Sequence, residues 1–132
     1  MRQPGTMTTI LLVDDDPLQS SLMISVLRRR FDDVFRATDA SEALCLIEQP
    51  EFADKLGLVI SGHHTRGIGG PAFVAELRSR MPALPVLVLG AAGEVPGDYA
   101  AAHIAFLPRP VVPEVMLALT DRMLTQNKNA VA

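Results

Sequence analysis

Apolar residues in this chain gather into five short runs, at 10–13, 34–37, 58–60, 86–89 and 104–107, with longer stretches of helical spacing between them. The runs are too short for helices and largely lack polar alternation, so they read as strands buried on both faces. Strand, helix, strand spacing of this length requires parallel crossovers. The pattern therefore predicts an α/β fold, a doubly wound parallel sheet of five strands with helices on both sides.

The intervening stretches carry helix punctuation. Asp16 followed by Pro17 supplies an N-cap and a first helical residue, and Leu18, Leu22 and Val26 lie on one stripe running toward Arg28, Arg29 and Arg30. Those arginines fall in the last turn, where cations favour the helix dipole, and read as a solvated helix end rather than a binding patch. Asp39 with Glu42 resembles a capping box for a second helix through Ala43, Leu44 and Ile47. Pro71 opens a third with Phe73, Val74 and Leu77, and Pro113 opens the last, which is expected to run to about Gln126. Residues 1–8 carry Pro4 and Gly5 without periodicity and read as a disordered tail; 127–132 read as a C-terminal tail.

Composition narrows the function classes. A chain of 132 residues, 48% hydrophobic and 20% charged, fits one domain with one sheet covered on both faces. Its net charge of -3 offers no field to gather phosphate backbones or anionic lipid, so neither nucleic acid nor membrane is an expected partner. The run at 10–13 is too brief for a signal peptide or a spanning helix, and a cytoplasmic protein is expected. Cys45, the single cysteine, has no disulfide partner within the chain and reads as a small helix side chain.

Sheets of this kind hold their functional groups outside the carboxyl ends of the strands, so the positions to inspect are 14–16, 61–64, 90–91 and 108–110. Three adjacent aspartates repel one another unless a cation compensates. Asp16 is taken up as a helix cap, which leaves Asp14 and Asp15 for the crevice. Carboxylates so placed commonly hold Mg2+, and Arg109 is the cation within the chain that follows the last strand. His63 and His64 are adjacent on an extended segment and point to opposite sides, so one metal rarely takes both; His64 is the better candidate. Ser61 has no histidine placed in sequence to activate it. The "TRGIGG" stretch lacks the Lys-Ser/Thr of a phosphate loop and reads as a turn.

Taken together, "ILLVDDDP", "GIGG", "PVLVL" and "FLPRP" resemble the receiver domain of two-component response regulators, over 9–124. The resemblance implies a flavodoxin-like sheet of strand order 2-1-3-4-5 flanked by five helices, and a receiver-like domain at 9–126. In that family an acidic pair holds Mg2+, an aspartate at the tip of the third strand accepts a phosphoryl group, a Thr or Ser follows the fourth strand and a Lys follows the fifth. The acidic pair falls on Asp14 and Asp15, the acceptor on Gly62, the hydroxyl position on Gly90 and the Lys on Arg109. The aromatic that changes rotamer in many members matches Phe106. Glycine carries no nucleophile, so no acyl phosphate is expected at Gly62, and Mg2+ is expected to bind weakly if at all. Arg109 is expected to pair directly with Asp14 or Asp15, as a guanidinium fork suits a carboxylate.

The stretch from Gly90 to Phe106 is shorter than in the family by roughly one helical turn, and Pro96 with Gly97 interrupts it, so the fourth helix is expected to be short or irregular. In the family this helix, the fifth strand and the fifth helix meet partners, which makes Tyr99, Phe106, Leu117 and Leu124 the expected partner-binding residues. Leu117 and Leu124, seven residues apart, are expected to form an exposed apolar strip. The resemblance thus implies a non-enzymatic, phosphorylation-independent receiver whose partner is a histidine kinase, a phosphotransfer protein, another signalling protein or a second copy of itself. Two alternatives stay open: phosphorylation at a displaced acid, Asp14 or Asp15, and a metal or small-ligand sensor using Asp14, Asp15 and His64.

Overall fold

The computed structural model describes residues 8–62, 70–90 and 103–131, and of these the side chains of 8–62, 71–90 and 103–125. Five strands, β1 (Thr9–Val13), β2 (Asp33–Ala37), β3 (Leu56–Gly62), β4 (Val86–Gly90) and β5 (Ile104–Pro108), form one sheet in the order β2-β1-β3-β4-β5. Every pairing is parallel. The described helices are α1 (Pro17–Leu27), α2 (Ala40–Ile47), α3 (Pro50–Lys55), α4 (Gly70–Arg80) and α5 (Pro113–Val131). This is the flavodoxin-like receiver fold. The expected short helix between β4 and β5 falls at 91–102, outside the described residues, as does most of the expected N-terminal tail.

Strand alternation sorts the core into two layers. Ile10, Leu12, Leu58, Ile60, Leu87 and Leu89 pack with Met23 and Leu27 of α1 and Met116 and Met123 of α5. Leu11, Val13, Val59, Val86 and Val88 point the other way, onto Ala43, Ile47, Phe73 and Leu77 of α2 and α4. Leu56 joins this second layer although it shares the parity of Leu58, because the β1–β3 register shifts between Thr9 and Ile10 and leaves Gly57 as an extra residue. A Cβ at Gly57 would lie 2.2 Å from Thr8 Cγ2 and 3.1 Å from Leu124 Cδ2, so any larger residue there would have to displace those side chains.

Burial on both faces holds for β1, β3 and β4 but not for the edge strands. Phe35 of β2 is 52% exposed, and β5 is only partly covered. Phe35 instead meets Phe52 of α3 edge to face, with ring centroids 5.7 Å apart. α3 itself was not foreseen, since its six residues bury no side chain and so leave no apolar period to read.

The predicted stripe on α1 is on the wrong side. Leu18 and Leu22 are 71% and 58% exposed, while Ser20, Met23 and Leu27 face the sheet. Asp16 does cap the helix, its Oδ1 accepting from Leu18 N and Gln19 N, and with that start Ser20 turns inward and donates to Asp16 O at 2.7 Å. α1 ends at Leu27, so Arg28 to Arg30 follow the last turn rather than occupy it. Arg30 forms an exposed ion pair with Asp121 of α5.

α5 departs from expectation twice. It continues through Val131, past Gln126, because 127–131 contains no glycine or proline to stop it. Leu117 is buried, and Leu124 is half-buried against the sheet beside Gly57, so the expected exposed strip does not form. Residues 116, 117, 120 and 123 share the inward face, and among the described residues the large exposed apolar side chains here are Val115 and, just before the helix, Val112. No helix among the described residues is long and apolar enough to cross a membrane.

Candidate functional site

The carboxyl edge of the sheet gathers the inspected positions. Val13 pairs with Ser61, so Asp14 and Gly62 are the next residues along two neighbouring strands. Gly62 pairs with Leu89, Gly90 pairs with Pro108, and Arg109 N donates to Gly90 O at 2.6 Å. The backbone thus brings Asp14, Asp15, Gly62, Gly90 and Arg109 to one crevice. His63, His64 and Tyr99 lie outside the described residues.

At the β1 end, Asp14 is anchored through its main chain. Its N–H donates to Ala37 O, and its carbonyl accepts from Arg36 Nε and Nη2 at 3.1 and 3.0 Å and from Ser20 Oγ at 3.3 Å. Arg36 and Ser20 therefore hold the loop after β1 in place. Neither was singled out from the sequence, although Arg36 shares the parity of Val34 on the strand next to β1, which is the signal that could have found it.

The Asp14 carboxylate is less well served. Oδ1 accepts from Asp16 N at 3.0 Å, whereas Oδ2 is buried without a hydrogen-bond partner. Burial raises its pKa above the usual carboxylate value; the Asp16 N–H and the charge of Arg109 pull it back, and Asp15 and Asp16 push it up. Arg109 acts on Asp14 through its charge alone, with no hydrogen bond or ion pair between them among the described residues, so the expected clamp does not form at Asp14. The half-buried β5 edge and the hydrogen bond that fixes its backbone to Gly90 set where the Arg109 side chain begins. Among the described residues, no group of three or more His, Cys, Asp and Glu side chains is placed to hold a metal ion.

At the β4 end, the ring of Phe106 fills the space above Gly90. A Cβ on Gly90 would lie 2.1 Å from Phe106 Cζ and 2.7 Å from Cε2, so no side chain fits there while the ring stays. The ring packs against the core layer of α2 and α4 and is partly buried. Phe106 thus contributes to the packing while part of it stays exposed. Between the two ends, Ser61 is 1% exposed and its hydroxyl donates to Gly62 O at 3.1 Å, which removes it as a free nucleophile.

No family model matches the chain. It is 31% identical over 124 residues to the transcriptional regulatory protein GlrR of Escherichia coli K12 and, to the same extent, to QseF of Escherichia coli O157:H7. Each match covers 92% of this chain and 27% of the relative, so the chain spans about a quarter of the length of these curated relatives. The fold is similar to a receiver domain from Clostridium thermocellum, with TM-score 0.81, 19% identity and coverage of 93% of this chain and 98% of that one. A CheY-like receiver from Methanospirillum hungatei JF-1 matches with TM-score 0.81 at 19% identity, over 94% and 98% of the two chains.

Proposed function

We propose that the chain is a receiver domain of the response-regulator type that serves two-component signalling as a phosphorylation-independent interaction module, its partner a histidine kinase, a phosphotransfer protein or another signalling protein. The observation that carries this reading is Gly62 as the last residue of β3. In the family that position supplies the carboxylate that attacks the donor phosphorus; a hydrogen in its place offers no electron pair.

Gly90 and Phe106 support the same reading. The hydroxyl that would contact a phosphoryl group is replaced by a site that an aromatic ring already fills, so the ring has no second occupant to respond to. The domain holds one packing and works through its surface, without catalysis. Mg2+ does not fit the donor set well: Asp14 and Asp15 remain, the orphaned Asp14 Oδ2 could take a cation or a proton, and the third carboxylate is missing at Gly62. Arg109 supplies part of the compensating charge in its place.

The test is phosphorylation of the purified domain by acetyl phosphate with Mg2+, followed by intact mass spectrometry beside the Gly62→Asp variant. We expect no mass gain of a phosphoryl group in the wild-type chain. Incorporation that disappears in Asp14→Asn or Asp15→Asn would overturn the proposal and assign the acceptor to the displaced acid.

A further inference from the structure

On the α1 side of edge strand β2 runs an open groove of about 550 Å3, whose lining includes Ile24, Ser21, Ser25, Arg28, Arg29 and Arg36 and no acidic residue. Three guanidiniums thus share one concavity in a chain whose net charge is -3. Among the described residues none of the three forms an ion pair. Arg36 bonds to the carbonyl of Asp14, and Arg28 Nη2 makes a long contact of 3.4 Å to Val34 O. These bonds fix the side chains without neutralising them. Glu42 feels Arg36 through space, but its own carboxylate is held by Thr38. The neighbouring Arg30 is different, since Asp121 compensates it.

The arrangement is polarised along the groove. Arg36 sits by the start of α1, where it reaches Asp14 O, and Arg28 and Arg29 sit beyond its end. Ser21 and Ser25 lie between them, one helical turn apart on the exposed surface. Uncompensated like charges held close together favour a bound anion, and arginine forks with hydroxyl donors are the side chains that recognise phosphoryl oxygens. The volume falls within the roughly 300–1,000 Å3 typical of small-molecule sites, and Ile24 offers an apolar wall for a carbon skeleton.

We propose that this groove binds a small phosphorylated metabolite carrying an anionic group at each end, one held by Arg36 and the other by Arg28 and Arg29. The site is separate from the crevice at Gly62 and does not depend on whether that crevice accepts phosphate.

The experiment is titration of the labelled domain with fructose 1,6-bisphosphate at constant ionic strength, followed by NMR of backbone amides and arginine Nε–Hε groups. Glucose 6-phosphate serves as the single-phosphate comparison. Saturable shifts are expected at Ser21, Ser25, Arg28, Arg29 and Arg36, with the bisphosphate binding about tenfold more tightly, as expected for added charge-assisted hydrogen bonds. Arg29→Ala and Arg28→Ala should each weaken binding by about tenfold, while Arg122→Ala, the same charge change on exposed α5, should not. The Arg29 side chain forms no hydrogen bond to another described residue, so its removal should leave the fold intact, and a thermal melt verifies this. No saturation, equal losses in Arg122→Ala, or shifts centred on Asp14 and Asp15 would each overturn the assignment. Sedimentation with phosphatidylcholine vesicles containing phosphatidic acid separates a free ester from a lipid headgroup: the protein should stay in the supernatant, and capture would overturn the small-ligand reading.

Discussion

The two ends of the crevice have gone different ways. At the β1 end the acidic pair is kept, and Asp14 remains poised for a positive charge, with one oxygen buried and unbonded. At the β4–β5 end there is packing instead: Gly90 has no side chain, and the Phe106 ring occupies the space. One end is short of a partner and the other is full. Phosphoryl chemistry needs both ends and a nucleophile between them, whereas packing needs only one, and the proposed phosphorylation-independent role asks only for the packed end.

The largest expected effect comes from refilling the full end. Gly90→Thr places a Cβ where the ring already stands, so either the ring swings out to solvent or the β4 end shifts. Overpacking of this kind typically costs about 1–3 kcal/mol, which for a domain of this size lowers Tm by roughly 3–15 °C. A double-mutant cycle sharpens the point: Gly90→Ala should be destabilising alone and nearly neutral in a Phe106→Ala background, since the coupling resides in one contact. An unchanged melting temperature for Gly90→Thr would break the contrast between the two ends.

Much of this edge was legible before the structure. The apolar runs place the strands, and the strand ends place Asp14, Gly62, Gly90 and Arg109 at one crevice, because parallel crossovers leave no other arrangement. What could not be read were facts about phase and contact. Leu18 and Leu22 have the spacing of a core stripe, yet Ser20, Met23 and Leu27 face in, since one apolar period on a short helix fits more than one rotation. Leu117 read as surplus because burial at 116, 117, 120 and 123 depends on how closely α5 lies on the sheet. The bulge at Gly57, the main-chain anchoring of Asp14 by Arg36 and the ring over Gly90 join residues distant in sequence, and no local pattern encodes them.

At the unfilled end the expected effects are smaller and opposite in sign. Asp14→Asn keeps an acceptor for Asp16 N and replaces the orphaned oxygen with an amide, so it should stabilise the domain by about 1 kcal/mol at neutral pH. The pH dependence follows from the same cause. A carboxyl whose pKa is raised by folding holds its proton more tightly in the native state, so Asp14 favours folding at low pH, and that contribution is lost as pH rises from the ordinary carboxylate value through the raised one. Glu42 behaves oppositely. Hydrogen bonds from the Thr38 hydroxyl and N–H lower its pKa, so its contribution is present above the ordinary value and lost as pH falls through the lowered one. Tm measured across the acidic range should fall more steeply toward low pH in Asp14→Asn than in wild type, because only the Glu42 limb remains. Parallel curves would mean that Asp14 has no raised pKa.

Arg109 connects the two ends, and its removal should have the smallest effect. It lowers the pKa of Asp14 from a distance, ranking behind the Asp16 N–H and opposing the larger influence of burial. Arg109→Ala should therefore raise the Asp14 pKa further, seen by NMR titration of its carboxyl carbon, while changing stability by no more than about 0.5 kcal/mol, as is usual for a solvent-screened charge. Arg109→Lys keeps the charge and should leave the Asp14 titration nearly unmoved. If Lys shifted Asp14 as much as Ala does, the guanidinium fork rather than its charge would be what reaches Asp14, and the two ends would be joined by a bond instead of a field.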